Sequence, residues 1–245
     1  MRAAAAVLVI GGGALLRYGL PPQLRGRSDS SARIPMREIA TRPGQRVELQ
    51  LEDGTHVVLG PASQLRYASR FGDSRDVELT GEAYFEVAHD PSRPFAVHTA
   101  RGVARDIGTT FGVVSYSDSR AMEVVVEDGS VAVASAVLSR GDLASVSDAG
   151  VLTVKRGVDV DAYLAWASGR LVFQNTPLRD AIAQFNRWYD ADLRIGDSAM
   201  ADYPVTATFS TESLSQAVTV IASALDAHVE RDATTTTLYP RRHVR

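Results

Sequence analysis

At 245 residues, 45% of them hydrophobic, the chain can bury one large core or two modest ones. It holds no cysteine, which excludes disulfides, thiolate nucleophiles and cysteine-ligated metals. The net charge of −3 is unevenly spread: residues 1–46 carry eight arginines against two acids, residues 47–168 ten bases against eighteen acids, and residues 169–240 five against nine. The folded part is therefore acidic, which argues against nucleic acid as a partner.

At the N-terminus, Ala3 to Leu16 is an unbroken apolar and glycine run between Met1-Arg2 and Arg17-Tyr18. Extended to Leu20, with Arg17 snorkelling outward, it reaches the minimum of roughly 17 residues for a bilayer span. A secretory signal peptide has the same layout. Residues 1–20 are thus expected to be a transmembrane or signal-anchor segment, and both readings export the remainder of the chain. Only Arg2 precedes the run, whereas Arg17, Arg25, Arg27 and Arg33 come after it, against the positive-inside pattern. The simplest resolution is a further segment upstream of Met1.

Residues 21–46, with Pro21-Pro22 and Pro43-Gly44, show no apolar period and read as a linker. From there strand succeeds strand. Val47–Leu51 and Thr55–Leu59 alternate around the turn dipeptide Asp53-Gly54. Further runs are Asp76–Leu79, Ala83–Ala88, Phe95–Thr99, Phe111–Tyr116, Glu123–Val126, Val131–Ala134 and Val151–Val154. Turn signals at this spacing predict an all-β domain over 47–155. Asp159–Ser168 is a short helical pattern in a connecting segment, 156–168. Residues 169–240 then give strand, helix and strand twice. Asn175-Thr176-Pro177 predicts a cap and a first-turn proline for a helix over Leu178–Tyr189, and Ser213 opens the second helix. This is a small α+β domain with an internal repeat, succeeded by a basic tail, 241–245.

Nothing in these elements gathers chemistry. The five histidines (His56, His89, His98, His228 and His243) lack metal-ligand spacing. Ser63, Ser115 and Ser145 sit in no nucleophile elbow. Gly108–Gly112 resembles a phosphate loop only superficially and reads as a strand-entry turn. Glu82 and Glu86 share one strand face, as exposed cross-strand partners. No catalytic, cofactor or metal site is expected. Aromatics stand out more. Helical spacing favours core packing for them, with Phe173, Leu178, Trp188, Tyr189 and Phe209 as candidates for a protein interface.

One stretch carries more than its strands. Gly81–Val97 reads as two strands joined by a polar turn with two prolines. It lies within an ordered series of blocks: Leu51–Leu59; Ser63–Tyr67 with Phe71; Arg75–Val87; Arg93-Pro94-Phe95 with Val97; Ile107–Val113; and Val126–Val133. In this the chain resembles the FecR-type transmembrane sensors. Gly169–Leu178 and Phe185–Tyr189 resemble the secretin and TonB short N-terminal (STN) fold that completes such sensors.

The resemblance implies a mainly β protein: a transmembrane helix, an all-β FecR-type domain and an STN-like α+β domain. It implies a single-pass inner-membrane sensor with its bulk in the periplasm and no enzymatic activity. The implied partners are the signalling domain of a TonB-dependent outer-membrane receptor and an extracytoplasmic-function sigma factor. The sigma contact belongs to a cytoplasmic segment that the family places before the span. The alternative is an envelope structural or assembly protein that uses the same modules without sigma signalling.

Overall fold

The computed structural model describes residues 35–106, 108–210 and 212–241. The expected membrane segment, the linker up to residue 34 and the tail beyond Arg241 lie outside them. The described residues form one compact unit. Among the described residues no helix is long and apolar enough to cross a membrane.

The N-terminal module is a single large sheet of short strands. They are β1 (Met36–Ala40), β2 (Val47–Gln50), β3 (His56–Leu59), β4 (Gln64–Ala68), β5 (Arg75–Glu86), β6 (Phe95–Thr99), β7 (Gly102–Asp106), β8 (Thr110–Ser115), β9 (Ala121–Asp128), β10 (Ser130–Val133), β11 (Ala136–Ser139), β12 (Asp142–Ser147) and β13 (Leu152–Arg156). The long strand β5 is the axis. Up to Thr80 it pairs with β4 and, in parallel, with β6. From Gly81 it pairs with β3 and β8. Two half-sheets result, β1-β4-β5-β6-β7-β10-β11 and β2-β3-β5-β8-β9-β12-β13. Alternation along each strand sends Val57, Leu59, Leu65, Val77, Leu79, Phe85 and Phe111 into one shared core. Phe85 stacks on Phe111, with ring centroids 5.4 Å apart, and tilts against Phe95 at 5.7 Å.

Three expectations change here. The sheet starts at Met36, inside the expected linker: in this edge strand only Ile39 packs against the core, so no apolar alternation marks it. Asp76–Leu79 and the expected strand from Ala83 belong to one strand, which ends at Glu86, because the backbone runs through Thr80-Gly81 while changing partners. Strands β7 and β11 escape a hydrophobic pattern because each sends one fully buried side chain, Ala104 or Leu138, into this core, whereas β12 buries Ala144 and Val146 on one face and Leu143 on the other and so shows no alternation.

A short helix, α1 (Val160–Leu164), and a 3₁₀ turn, Ala165–Ser168, lead into the C-terminal module. That module comprises β14 (Leu171–Pro177), α2 (Leu178–Tyr189), β15 (Asp192–Ile195), β16 (Pro204–Phe209), α3 (Leu214–Ala224), β17 (Ala227–Arg231) and β18 (Thr235–Pro240). The expected strand-helix-strand repeat is present. The leading strands of its halves, β14 and β16, pair antiparallel, and β15, β18 and β17 form a second small sheet. Helix α2 presents Leu178, Ala181, Ile182 and Phe185 to a core shared with Phe173, Phe209 and Ile221. The helix spans Leu178–Tyr189 as expected, but its cap differs from expectation. Thr176 and Pro177 still pair with Val205 and Pro204, so the sheet claims them. Asn175 takes a left-handed conformation (φ 54°) at a register slip, and Pro177 stands at the N-cap.

Candidate functional site at the junction of the two modules

The signature residues of β5 have two different fates. Arg75, at its start, is fully buried and pairs with Asp53 at 2.9 Å. Its remaining donors hold the two ends of the 88–93 turn: Nε donates to the Arg93 carbonyl (2.7 Å) and Nη1 to the Ala88 carbonyl (2.7 Å). Asp53 in turn accepts from the Thr55 amide (3.0 Å) and hydroxyl (2.8 Å). The guanidinium thus fixes the Asp53-Gly54 turn and the proline-containing turn to one point. A planar group with five donors suits this task.

Beyond Gly81 the outer face of the second half-sheet is covered by the rest of the chain. Val58 belongs to the core of the C-terminal module, and Tyr84 packs against it. Leu164 of α1 lies on Val125 and Leu143. Its approach depends on Gly112, where a Cβ would fall 2.5 Å from Leu164 Cδ2. Two hydrogen bonds tie the strand-entry segment to the far side: Arg46 Nη1 donates to the Trp166 carbonyl (3.0 Å), and the Gly44 amide donates to the Arg187 carbonyl (2.7 Å). The connecting segment 156–168 is therefore docked along the sheet.

Glu82 sits in this junction. It is 3% exposed, against the expectation of an exposed pair with Glu86, which does stay in solvent. The difference is tertiary: both acids point to the outer face, but the covering module reaches only the first. The Glu82 side chain lies over Gly60, where a Cβ would come within 2.6 Å of Oε1. Its backbone amide donates to Ser63 Oγ (2.9 Å). The Tyr116 hydroxyl closes the site, donating to the Pro61 carbonyl at 2.8 Å and lying within hydrogen-bond reach of the carboxyl. Over the Tyr116 ring, 4.0 Å from its centroid, lies the Arg187 guanidinium of α2, which pairs with Asp118 at 3.1 Å. Burial pushes the Glu82 carboxyl up to about 7, against the smaller opposing effects of Tyr116 and Arg187.

Two family profiles match this chain in order: FecR protein over residues 37–132, and FecR, C-terminal, over residues 170–238. The chain belongs to the FecR family. Two crystal structures of a candidate anti-sigma factor from Parabacteroides distasonis ATCC 8503, at 2.50 and 1.65 Å resolution, share the fold. Each aligns over its whole length with 85% or 84% of this chain, at 27% identity and a TM-score of 0.78. Among curated proteins nothing matches.

Within this FecR fold the residues singled out from sequence fall into two groups. Phe173, Leu178 and Phe209 are buried in the C-terminal core, the fate that helical and strand spacing favours. Trp188 and Tyr189 are half-buried at the end of α2. The Tyr189 hydroxyl donates to the Glu212 carbonyl (3.0 Å), and its ring stacks on Phe185. The Trp188 indole N–H is buried without an acceptor among the described residues. Gly108 and Thr109 form the expected strand-entry turn, with both amides donating to Asp106 Oδ2. Among the described residues no group of three or more His, Asp or Glu is placed to hold a metal ion. Sequence reading misses the Glu82–Tyr116–Arg187 cluster. The residues lie on β5, just after β8 and on α2, and no local pattern links them.

Proposed function

We propose that this FecR-family protein is a signalling regulator of the cell envelope. Anchored by residues 1–20 in the inner membrane, it relays the state of a TonB-dependent outer-membrane receptor to an extracytoplasmic-function sigma factor. The observation that carries this reading is the ordered pair of family matches, together with a relative named as a candidate anti-sigma factor that aligns along its full length. The C-terminal module, in its STN-like role, binds the receptor's signalling domain through an exposed strand edge or helix face. Strands β15 and β17, each paired on one side only among the described residues, offer such edges. Relay requires the receptor to bind one arrangement of the sensor better than another, since only differential affinity moves an equilibrium.

The test is co-purification from host membranes of the full-length protein with two separately tagged partners. These are the receptor's signalling domain and the sigma factor. Capture of both, with receptor binding abolished by charge reversal along β17, is the expected result. Capture of neither would overturn the reading in favour of an envelope assembly role.

A further inference from the structure

Glu82 is enclosed by groups from both modules. The N-terminal module supplies Gly60 beneath it, Ser63 at its amide and Tyr116 at its side. The C-terminal module supplies Arg187, which lies on the Tyr116 ring. Arg187 is the cation that faces Glu82, yet it is paired to the exposed Asp118. An ionised carboxylate at this position is thus out of water with no cation in contact, which strongly favours its neutral form. The same Arg187 anchors α2 to the strand-entry segment through its carbonyl, which accepts from the Gly44 amide. The residue that covers Glu82 therefore also makes one of the contacts that fasten the modules together.

We propose that Glu82 is a proton-operated latch between the two modules: protonated, it lets the Tyr116–Arg187 lid stay seated, and ionised, it releases the lid and loosens the C-terminal module from the sheet. The proton passes to solvent, and the carboxylate left behind gains water or Arg187, either of which requires the lid to move. The charged and titratable groups around it are Tyr116 beside it, Arg187 above it and Asp118 beyond. Tyr116 itself stays neutral, because burial and the nearby Glu82 raise its hydroxyl well above the usual range. The seated arrangement holds a proton that the open one gives up between pH 4.5 and about 7. Opening therefore grows by up to about tenfold per pH unit across that window and levels off above it. The latch goes beyond the relay reading and stands whether or not a receptor or sigma factor is involved.

The protein's two tryptophans, Trp166 and Trp188, both belong to the C-terminal core beside this junction and report on it. The full-length chain in detergent micelles would be titrated from pH 5 to 9, monitoring tryptophan emission. Cutting within 156–168 by a broad-specificity protease would be measured in parallel, normalised to an unstructured peptide. The expected result is a red shift with a midpoint near 7 and faster cutting over the same range. Glu82→Gln, which mimics the protonated form, should abolish both. Asp118→Asn, at an exposed position, frees Arg187 to meet the carboxylate and should lower the midpoint. Flat emission in the wild type, or a transition that Glu82→Gln leaves intact, would overturn the latch. If Glu82→Gln does not fold, an unmoved midpoint in Asp118→Asn would overturn it as well.

Discussion

Among single residues, the signature strand β5 joins two buried ionisable groups with opposite logic. Arg75 is buried and compensated: a carboxylate and two carbonyls meet its donors. Replacing it by Met leaves Asp53 buried without its cation and the Ala88 and Arg93 carbonyls short of donors. Such one-sided removal costs about 3–5 kcal/mol, to be read from urea denaturation. Adding Asp53→Asn, which removes the charge but keeps an oxygen for the Thr55 amide, should recover part of the loss, since the carbonyls stay unpaired. Glu82 is buried and uncompensated, and its environment is not legible in the sequence. Strand alternation correctly sets Glu82 and Glu86 on one face, but which acid the covering module reaches is not a property of that strand.

The helices of the C-terminal module are legible because their signals are local. Apolar spacing marks α2, and Ser213 opens α3 by accepting from the Gln216 amide, while Gln216 reaches back to the Ser213 amide. Ser213→Ala should lower stability by about 1 kcal/mol, seen as a lower melting temperature with the helix content of the native state unchanged. The docking of α1 is not legible. Its sequence gives a short helix, but its place depends on Gly112, some fifty residues earlier in the chain. Gly112→Ala should cost about 1–3 kcal/mol through overpacking against Leu164. Leu164→Val, which shortens the side chain toward the new methyl, should recover part of that cost; chemical denaturation of the single and double variants checks it. The short strands β7 and β11 stay hidden for a related reason: one inward side chain each is adequate where neighbouring strands supply the bulk, while β12, buried on both faces, shows no alternation.

Taken together, the packing shared across the junction makes two modules into one compact unit. Heating at pH 6 should therefore give one calorimetric transition, where two independently folded domains would give two. Glu82 also sets a pH slope. Its carboxyl stands near 4.5 when unfolded and about 7 when folded, so the folded state binds the extra proton. The stability this contributes is fully present below pH 4.5, declines as pH rises and is lost above about 7, a difference on the order of 3 kcal/mol. Denaturation midpoints of wild type and Glu82→Gln compared at pH 5 and 8 check the sign: the wild type should lose ground to the variant at the higher pH.

Order along the chain is enough to give the family, the mainly β first module, the doubled strand-helix unit after it and the spacing that buries Phe173, Leu178 and Phe209. Each of these rests on residues close together in the chain, where alternation, helical period, turn dipeptides and ordered motif blocks act. Which outer face of the sheet is covered emerges only on folding. With it come the docking of 156–168, the coupling of Gly112 to Leu164 and the enclosure of Glu82 by Tyr116 and Arg187. Those contacts join residues tens of positions apart, and burial of a carboxyl depends on the groups that pack over it, which no local periodicity encodes.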